Sequence, residues 1–297
     1  MLTIYCALFV EAQEIIRTFQ LKKENEKHHF EVFSDMEKGI RVVITGVGGI
    51  AVATAVAEIS TCYPPKSADL ICNFGSCAAA EGIPVGDVYL CNKLTEENSS
   101  RTFYPDICYK HPFEEAELVS CGRIQTAKQM ETDQMRPQSL YDMEGTAIYQ
   151  AANYYYGPHQ MIFLKVVSDH GFDAKQTVSA AAQNIDMRGL MATLMKNAAS
   201  MVCPYIKTLC EISHAQEEEE GRQTFLRRKA EEEAAGLGEK LHCSAVMRGE
   251  LRQLLFYWQL TGTDYEAVLE DYRRQGRLPA RDKREGKRIL DELKARL

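Results

Sequence analysis

The sequence has no apolar run long enough to cross a membrane. The opening stretch MLTIYCALFVEAQEII is mostly apolar, but Glu11 and Glu14 interrupt it well short of the ~20 apolar residues that a membrane span needs. It also lacks the basic start of a secretion signal. We therefore expect no membrane contact, and the stretch predicts a buried strand that leads into a loop and a helix.

Cysteine pairs at metal-binding or redox spacing are also lacking. The ten cysteines are scattered along the chain without a CxxC pair, which argues against a zinc site and against a disulfide framework. We expect reduced, mostly buried thiols in a cytoplasmic protein, and we expect neither a metal nor a cofactor.

Excess positive charge is absent, and the negative charge is unevenly distributed. The formal net charge is −7, and residues 204–297 hold 18 basic and 18 acidic side chains, so the whole excess belongs to residues 1–203. A chain of 297 residues is long enough for one large domain and a small one. The contrast in charge indicates that the two parts need separate explanations.

The first two-thirds of the chain alternates short apolar runs with alanine-rich helical stretches. The apolar runs are typical of strands buried on both faces of a sheet, and they lie at residues 2–8, 41–46, 69–74 and 162–167. Helical stretches lie at residues 49–61, 144–156 and 177–200, with a further strand pair predicted at 86–94 and 115–124. This alternation predicts an α/β layered domain over residues 1–203.

The pattern changes after residue 203. We interpret residues 204–216 as a linker and residues 217–297 as a small all-helical module that carries opposite charges at helical spacing. One amphipathic helix of this module is expected to bury its apolar face, which consists of Val246, Leu251, Leu254, Leu255 and Trp258.

Three roles are open for the helical module. It packs on the first domain or on a second copy of the chain, or it docks a protein partner through residues 217–297. A nucleic-acid contact through the locally basic residues 273–288 is disfavoured, because Asp282 and Glu285 interrupt that stretch and the module as a whole is neutral.

Polar groups follow the predicted strands at the points where the apolar runs stop. They are Glu11, Thr45–Gly48, Asn73–Cys77 and Ser168–Asp169, and a further segment, Tyr141–Gly145, begins a helix. In open α/β sheets ligands bind beyond the carboxyl ends of the strands. The sequence therefore predicts a ligand site that these segments share.

The same segments, in this order, resemble the purine nucleoside phosphorylase and nucleosidase superfamily, and most closely its methylthioadenosine/S-adenosylhomocysteine nucleosidase branch. The strongest part is Asp142-Met-Glu-Gly145 followed, about two dozen residues later, by an apolar strand that ends in Ser168-Asp169. Thr45-Gly-Val-Gly48 and Asn73-Phe-Gly-Ser76 add support. The likeness covers about two-thirds of the chain. It implies a three-layer α/β/α domain of the phosphorylase/hydrolase type with a mixed central sheet, usually as a homodimer.

The resemblance implies three catalytic carboxylates. Cleavage of a bond between ribose and a purine builds positive charge on the sugar and negative charge on the base. Asp169 resembles the general acid that protonates the base at N7, which requires a protonated carboxyl in a partly dry site, and Ser168 would orient it. Glu144 resembles the residue that binds the ribose hydroxyls, with the Met143 backbone lining the sugar. Glu11 resembles the carboxylate that positions and deprotonates the attacking water.

Further substrate contacts are implied in the same way. Ser76 would lie near the water and the sugar, and Ile124 would pack against the base. Gly48 lies at a strand-to-helix turn, where glycine serves backbone geometry whether or not a ligand is near. An apolar pocket for the 5′ substituent is expected from aromatic residues that are as often plain core, namely Phe103, Tyr104, Phe113 and Phe172.

Each carboxylate also has a purely structural interpretation. Glu11 and Glu144 could be ordinary acids of a first helical turn, and Asp169 could be a turn or cap residue. His111 and His170 are weaker candidates for an acid or base, for which a satisfied or solvent-facing ring is favoured. The joint occurrence of the three carboxylates in this order favours the functional interpretation.

Two departures from the phosphorylase pattern favour water over phosphate as the nucleophile. The phosphorylases of this superfamily carry an arginine where this sequence has Asn73, and a Gly-Asp-Pro type loop where it has Ala7–Glu11. Arg41 and Arg101 could rebuild a phosphate site. We therefore expect a nucleosidase acting on a purine nucleoside related to methylthioadenosine or S-adenosylhomocysteine. The alternatives are a phosphate-dependent phosphorylase and a non-catalytic nucleoside-binding protein whose helical module gives an output.

Overall fold

A computed structural model describes residues 1–25, 28–132, 139–171 and 187–296. These residues form two compact units, Met1–Ala215 and Gln216–Leu297. The strands of the first unit are β1 (Leu2–Cys6), β2 (Lys22–Lys23), β3 (Glu31–Asp35), β4 (Ile40–Ile44), β5 (Leu70–Ala79), β6 (Val88–Glu96), β7 (Thr102–Phe103), β8 (Glu114–Ser120), β9 (Leu140–Asp142) and β10 (Met161–Asp169). Its helices are α1 (Phe9–Thr18), α2 (Gly49–Cys62), α3 (Ala127–Thr132), α4 (Gly145–Ala152) and the first part of α5 (Met187–Lys240).

The strands form one mixed sheet in the order β10-β6-β8-β9-β5-β1-β4-β3-β2, with β7 beside β6. Strand β10 also pairs in parallel with β5, so β10, β6, β8, β9 and β5 close into a ring. Strands β1, β4 and β5 are parallel neighbours, and β8 runs parallel to β9. Strand β9 pairs antiparallel with the last residues of β5, so β8 and β9 run opposite to β1, β4, β5 and β10. The loops after β1, β4, β5 and β10 lie at the end of the sheet where the sequence predicts a ligand site, and β9 ends beside β5 in the same region.

Helices cover both faces of the sheet. On one face, Ala12 and Ile15 of α1 pack with Val202 of α5 against β1 and β5 residues. On the other, α2 and α4 pack against β4, β5 and β10, with Val56 and Ile148 in the same cluster. The predicted three-layer α/β/α domain with a mixed central sheet is therefore confirmed. The apolar runs became strands because each is buried on both faces, as the fully buried β1 shows.

Residues 204–216, which the sequence analysis interprets as a linker, form part of α5. Ile206, Leu209 and Cys210 are buried in the first unit's core, and Ser213 Oγ donates to Ala68 O at 2.7 Å. Their spacing of three and four residues places them on one helix face. The first unit accordingly extends to Ala215. Of the predicted helix at 177–200, residues 177–186 lie outside the described residues.

The second unit is all helical, with the last part of α5 followed by α6 (Ala245–Thr261), α7 (Tyr265–Arg274) and α8 (Lys283–Lys294). Ser244, Asp264 and Asp282 cap α6, α7 and α8 by accepting backbone N–H groups. The expectation that α6 buries its apolar face is confirmed for four residues, Leu251, Leu254, Leu255 and Trp258. They form the unit's own core with residues of α5, α7 and α8, because four helices are enough to enclose them. Val246, which was grouped with them, is exposed.

All ten cysteines are free and eight are buried, as the sequence predicts. Among the described residues, no helix is both long enough and apolar enough to span a membrane.

Candidate active site

One cavity of about 200 Å³ lies at the carboxyl ends of the strands. Six segments of the first unit meet there: the loop from β1 into α1, the loop from β4 into α2, the last part of β5, the segment after β8, the turn from β9 into α4, and the end of β10. Its walls consist of Ala7, Leu8, Glu11, Val47, Ser76, Cys77, Ala78, Arg123, Ile124, Gln125, Tyr141, Asp142, Met143, Glu144, Ser168 and Asp169. The structure therefore brings together seven of the sequence-predicted site residues: Glu11, Ser76, Ile124, Met143, Glu144, Ser168 and Asp169.

Glu11 lies in the first turn of α1, where the helix dipole favours a carboxylate, and its side chain is only 3% exposed. Its Oε2 accepts the Leu8 amide at 2.9 Å. Its Oε1 accepts both the amide and the hydroxyl of Ser76, at 2.8 and 2.7 Å. Glu11 thus caps α1 and at the same time presents a fixed carboxylate to the cavity. Gly75 leaves room for it, since a Cβ there would lie 3.2 Å from Glu11 Oε1.

Glu144 precedes α4 and links two loops. Its Oε1 accepts the Gly48 amide at 2.7 Å, and its Oε2 accepts the Met143 amide at 3.2 Å. Gly48 has a φ of +98°, a backbone conformation that residues other than glycine rarely adopt. Gly48 itself is not a wall of the cavity, and its contribution is the amide that orients Glu144.

Beneath Glu144 lies a buried ion pair that the sequence analysis did not identify. Lys165 of β10 places Nζ 2.8 Å from Asp142 Oδ2, and the two side chains are 1% and 0% exposed. Asp142 also accepts Ser120 Oγ at 2.6 Å and the Gly145 amide at 2.8 Å. A buried charge needs partners of this kind to be tolerated. The pair therefore fixes the turn that carries Met143 and Glu144.

The pKa values of Lys165 and Glu144 are set by burial and by the attraction between Lys165 and the carboxylates around it. Burial opposes the charge of Lys165, but Asp142, Glu144 and Glu11 outweigh it, and the pKa of Lys165 lies above its ordinary value. Burial raises the pKa of Glu144, with Asp142 adding to the effect and Lys165 and the Gly48 amide opposing it. Protonation of Glu144 is therefore easier than for a carboxyl in water.

Asp169 ends β10 and has a different environment. It accepts Ser168 Oγ at 2.7 Å and the Gly171 amide at 2.8 Å, so Ser168 orients it as the resemblance implies. Asp169 is exposed, however, and the described residues do not enclose it in the partly dry site that the sequence analysis expects. His170, the neighbouring candidate, turns its ring to Ala79 O at 3.1 Å and is not a wall of the cavity.

The segment after β8 forms the wall nearest to Asp169. Thr126 and Ala127 lie against Gly171, where an added Cβ would come 2.5 Å from the Ala127 amide nitrogen. Ile124 lies on the cavity wall and is 64% exposed. Gln125 Nε2 donates to Glu97 Oε1 at 3.3 Å and to Arg123 O at 3.4 Å, which ties this wall to β6.

Other candidates from the sequence do not line the cavity. Phe103 packs against Tyr149 with ring centroids 5.1 Å apart and the rings tilted by 33°. Phe113 packs against Tyr205 in the core cluster on the other face of the sheet. Phe103 and Phe113 thus do not form one pocket, and Tyr104 is exposed outside the cavity. Phe172 lies outside the described residues.

The two candidate phosphate ligands, Arg41 and Arg101, also lie elsewhere, as do Asn73 and His111. Asn73 is buried and donates to Tyr5 O at 3.2 Å. The Arg41 guanidinium stacks over Tyr63 at 3.6 Å, and Arg101 lies over the Phe103 ring at 5.5 Å. His111 likewise pairs with Glu115 at 3.6 Å. None of these side chains is a wall of the cavity.

Three wall or support residues were missed by sequence reasoning. Lys165 carried a usable signal, because a lysine inside a run that is otherwise buried must have an acidic partner. Asp142 was part of the quoted motif but had no role assigned to it. Arg123 gave no signal, since an arginine after a strand is ordinarily a solvated surface residue.

Comparison with known proteins was made by sequence and by structure. No family model matches the chain, and no curated protein matches it. The structure is similar to a 5′-methylthioadenosine/S-adenosylhomocysteine nucleosidase from Neisseria meningitidis, solved with methylthio-immucillin-A (18% identity over 70% of this chain and 98% of that one, TM-score 0.56). It is also similar to the 5′-methylthioadenosine nucleosidase of Arabidopsis thaliana (20%, 68% and 93%, TM-score 0.54) and to the futalosine hydrolase of Helicobacter pylori (13%, 67% and 97%, TM-score 0.51). At these identities the likeness shows the fold. It confirms the fold that the resemblance implies.

Proposed function

We propose that the first unit is an N-ribosyl hydrolase that cleaves a purine nucleoside related in its sugar part to methylthioadenosine or S-adenosylhomocysteine. The observation that carries the proposal is the convergence of three carboxylates, Glu11, Glu144 and Asp169, on one cavity. Each is held by its own hydrogen-bond donors. The fold shared with solved nucleosidases supports the same reaction class.

The roles follow from the geometry of displacement at C1′. Water attacks C1′ as the bond to N9 breaks, and the electron pair of that bond moves to the base. Asp169, in its acid form, gives its proton to N7, while Glu11 accepts a proton from the water, so free base and free sugar leave neutral. Glu144 accepts hydrogen bonds from ribose hydroxyls and stabilises the positive charge that develops on the sugar. Solvent then returns both carboxyl groups to their starting forms.

The environment of Asp169 is compatible with this role once a substrate is bound. In the structure Asp169 is exposed and accepts hydrogen bonds from Ser168 and Gly171. A purine stacked on Ile124 would exclude water from this wall and disfavour the charge. The acid form is therefore a property of the complex.

Water is favoured over phosphate because of the charge around the nucleophile site. The nucleophile enters beside Glu11 and Ser76. Glu11 is buried, and its carboxylate accepts hydrogen bonds from the Leu8 amide and from the amide and hydroxyl of Ser76. A phosphate there would meet that negative charge, and Lys165, the cation nearest in effect to Glu11, is buried outside the cavity wall and already paired with Asp142. The only cation on the cavity wall, within the described part of the chain, is Arg123, which belongs to the wall near Asp169.

The decisive experiment is a nucleoside panel assayed with and without phosphate. The purified chain should release free base and free sugar from at least one purine nucleoside in phosphate-free buffer. The panel contains adenosine, inosine, guanosine, their 5′-methylthio forms and S-adenosylhomocysteine. Release that depends absolutely on phosphate would establish a phosphorylase instead. Tight binding without release would establish a nucleoside-binding protein, and the absence of both would overturn the proposal.

Two variants separate chemistry from binding. Asp169→Asn and Glu11→Gln should each lower kcat by about 10²–10⁴-fold, the range of general acid–base catalysis, with much smaller changes in substrate Kd. Glu14→Gln is the matched control, since Glu14 lies on the same helix and pairs with Arg17 outside the cavity. Wild-type rates in both site variants would contradict the assigned roles.

We further propose that the chain forms a homodimer and acts in the cytoplasm. Apolar side chains are exposed around the mouth of the cavity: Leu8, Phe9, Val47 and Ile50, the last 87% exposed. A second copy that covers them would remove this surface from water. Light scattering after gel filtration should give twice the chain mass, and Ile50→Glu should shift it to the monomer.

A further inference from the structure

Arg123 stands apart from every other charged group of the cavity. The walls carry four carboxylates, those of Glu11, Asp142, Glu144 and Asp169, and Arg123 is the one cation on them within the described residues. Its guanidinium pairs with none of these carboxylates, and no hydrogen bond or ion pair to the described chain satisfies its five N–H donors. It therefore does not serve to neutralise the acidic site.

The backbone around Arg123 is held in place. The carbonyl of Arg123 accepts Gln125 Nε2 at 3.4 Å. Thr126 bonds Gln129 through both its amide and its hydroxyl, at 3.0 and 2.9 Å, at the start of α3. A guanidinium on an anchored backbone, at a cavity wall, is presented to whatever fills the cavity.

The position of the cavity wall that carries Arg123 decides which part of a bound nucleoside this arginine faces. Thr126 and Ala127 touch Gly171, two residues beyond Asp169, while Glu11 and Ser76 lie on the other arm of the cavity. Since Asp169 protonates the base in the proposed reaction, we place Arg123, a wall residue three positions before Thr126, at the base end.

We propose that Arg123 selects the base, donating to an oxygen at C6, so that the preferred substrates are 6-oxopurine nucleosides such as those of hypoxanthine and guanine. This proposal rests on the proposed function and narrows it at the base. It departs from the adenine nucleosides after which several of the structural neighbours are named.

The chemistry behind this selection is the direction of the hydrogen bond. A guanidinium only donates. The O6 of a 6-oxopurine accepts, and arginine to O6 is among the commonest specific contacts to guanine. The 6-amino group of adenine donates, so two donors would face each other and both would stay unsatisfied. A site built to bond one group rejects an analogue that lacks it.

Arg123 also favours departure of the base. Negative charge moves onto the purine as the C1′–N9 bond breaks, and O6 carries part of it. A cation at O6 is therefore bound more tightly in the transition state than in the ground state. The effect on 6-oxopurine nucleosides should appear in kcat as well as in KM.

The test compares nucleoside pairs that differ only at C6, namely inosine with adenosine and 5′-methylthioinosine with 5′-methylthioadenosine. The wild-type chain should cleave the 6-oxo member with the higher kcat/KM. Arg123→Met should lower kcat/KM for the 6-oxo members by about 10–100-fold, the range of one specific base contact, and leave the 6-amino members within about twofold. Arg101→Met, an exposed arginine outside the cavity, should change neither.

Three outcomes would overturn the proposal. The first is equal or faster cleavage of the 6-amino members by the wild type, and the second is an unchanged ratio of kcat/KM between 6-oxo and 6-amino members in Arg123→Met. The third is that Arg123→Met loses only a dependence of the rate on phosphate, which would make Arg123 a phosphate ligand. If no nucleoside is cleaved, the proposed function fails. The base proposal is then decided by calorimetric binding of inosine and adenosine, where Arg123→Met must weaken inosine selectively.

Discussion

Lys165 Nζ lies 2.8 Å from Asp142 Oδ2, and solvent reaches neither side chain. Glu144 and Glu11 also stabilise the charge of Lys165, so one buried cation serves three carboxylates of the candidate site. The turn from β9 into α4 depends on this pair, because Asp142 also receives Ser120 and the Gly145 amide.

Removal of either member of the pair should be strongly destabilising. Lys165→Met leaves the Asp142 carboxylate buried without its cation, and Asp142→Asn leaves the ammonium likewise. Each change should lower the free energy of unfolding by about 3–5 kcal/mol. The double variant removes both members of the pair, so neither Asp142 nor Lys165 is left as a buried charge without its partner, although Glu144 and Glu11 lose the cation. Its loss should therefore be clearly smaller than the sum of the two. Urea unfolding of the four proteins measures this, and strictly additive losses would contradict the pairing.

The raised pKa of Glu144 predicts a specific pH dependence of stability. A carboxyl whose pKa is higher in the folded than in the unfolded chain contributes stability below the unfolded pKa of about 4.5 and loses it as pH rises through the folded pKa. Relative to Glu144→Gln, the wild type should therefore become less stable as pH rises from below 4.5 towards neutrality. Unfolding free energies measured across this range test the sign.

Glu24 is the matched control for that experiment. Burial opposes its charge, but hydrogen bonds from Ser34 and Tyr63 and the Arg41 guanidinium outweigh burial, and its pKa is lowered. Its contribution should be present above the unfolded pKa and lost as pH falls through the folded one. The wild type should thus lose stability relative to Glu24→Gln as pH falls. Slopes of equal sign in the two variants would contradict the assignments.

Gly75 controls the position of Glu11. A Cβ at residue 75 would lie 3.2 and 3.3 Å from the two Glu11 carboxylate oxygens, so Gly75→Ala should push Glu11 away from Ser76. A displacement of about 1 Å can cost roughly 10²-fold in rate, and we expect a fall in kcat of that order with little change in substrate Kd. Gly221→Ala is the control, because nothing lies within 4 Å of a Cβ at that position. Unaltered kcat in Gly75→Ala would show that Glu11 is not constrained in this way.

The sequence predicts the layers of the first unit well, because their signal is local. Strand β1 and helix α2 come within one or two residues of the predicted runs, since apolar periodicity records burial directly. The pairing of Lys165 with Asp142 could not be read in this way. It depends on how β10 and β9 lie in the closed part of the sheet, which is a long-range property.

The boundary at the end of the first unit, predicted after residue 203 but found at Ala215, was wrong for a related reason. Pro204 reads as a helix stop, yet α5 continues through it. The apolar face formed by Ile206, Leu209 and Cys210 packs into the core, and this tertiary burial outweighs the local preference of one residue. Arg123 could not be predicted for a different reason. In the sequence it looks like an ordinary surface arginine, and only the three-dimensional structure shows that it lines the cavity.

The reactivity of the cysteines should follow their burial. Cys62 and Cys108 are exposed, and the other eight are buried. Burial raises the pKa of Cys72 to about 12 and that of Cys210 to about 11, so their thiolate forms are scarce near neutral pH. Iodoacetamide applied to the native chain should label Cys62 and Cys108 first, and mass spectrometry with time gives the order. Early labelling of Cys72 in the folded protein would contradict the packing of β5.

The second unit can be tested at a single close approach between α8 and the end of α5. A Cβ on Gly286 would overlap the backbone carbonyl of Leu241, which explains a glycine inside a helix where alanine is intrinsically better. Gly286→Ala must move α8 away from the core that Ile289 and Leu290 help to form. We expect a loss of about 1–3 kcal/mol in the free energy of unfolding, typical of overpacking. Thermal and urea unfolding followed by circular dichroism measures it.

Gly249 in α6 is the matched control for Gly286. It is also helical, but nothing lies within 4 Å of a Cβ at that position. Gly249→Ala should therefore be neutral or stabilise the unit by up to about 1 kcal/mol, since only helix propensity changes. The two substitutions are chemically identical, so opposite effects on stability can come only from the contact with Leu241. If Gly286→Ala is as well tolerated as Gly249→Ala, α8 does not pack against Leu241 as described, and the core of the second unit must be arranged differently.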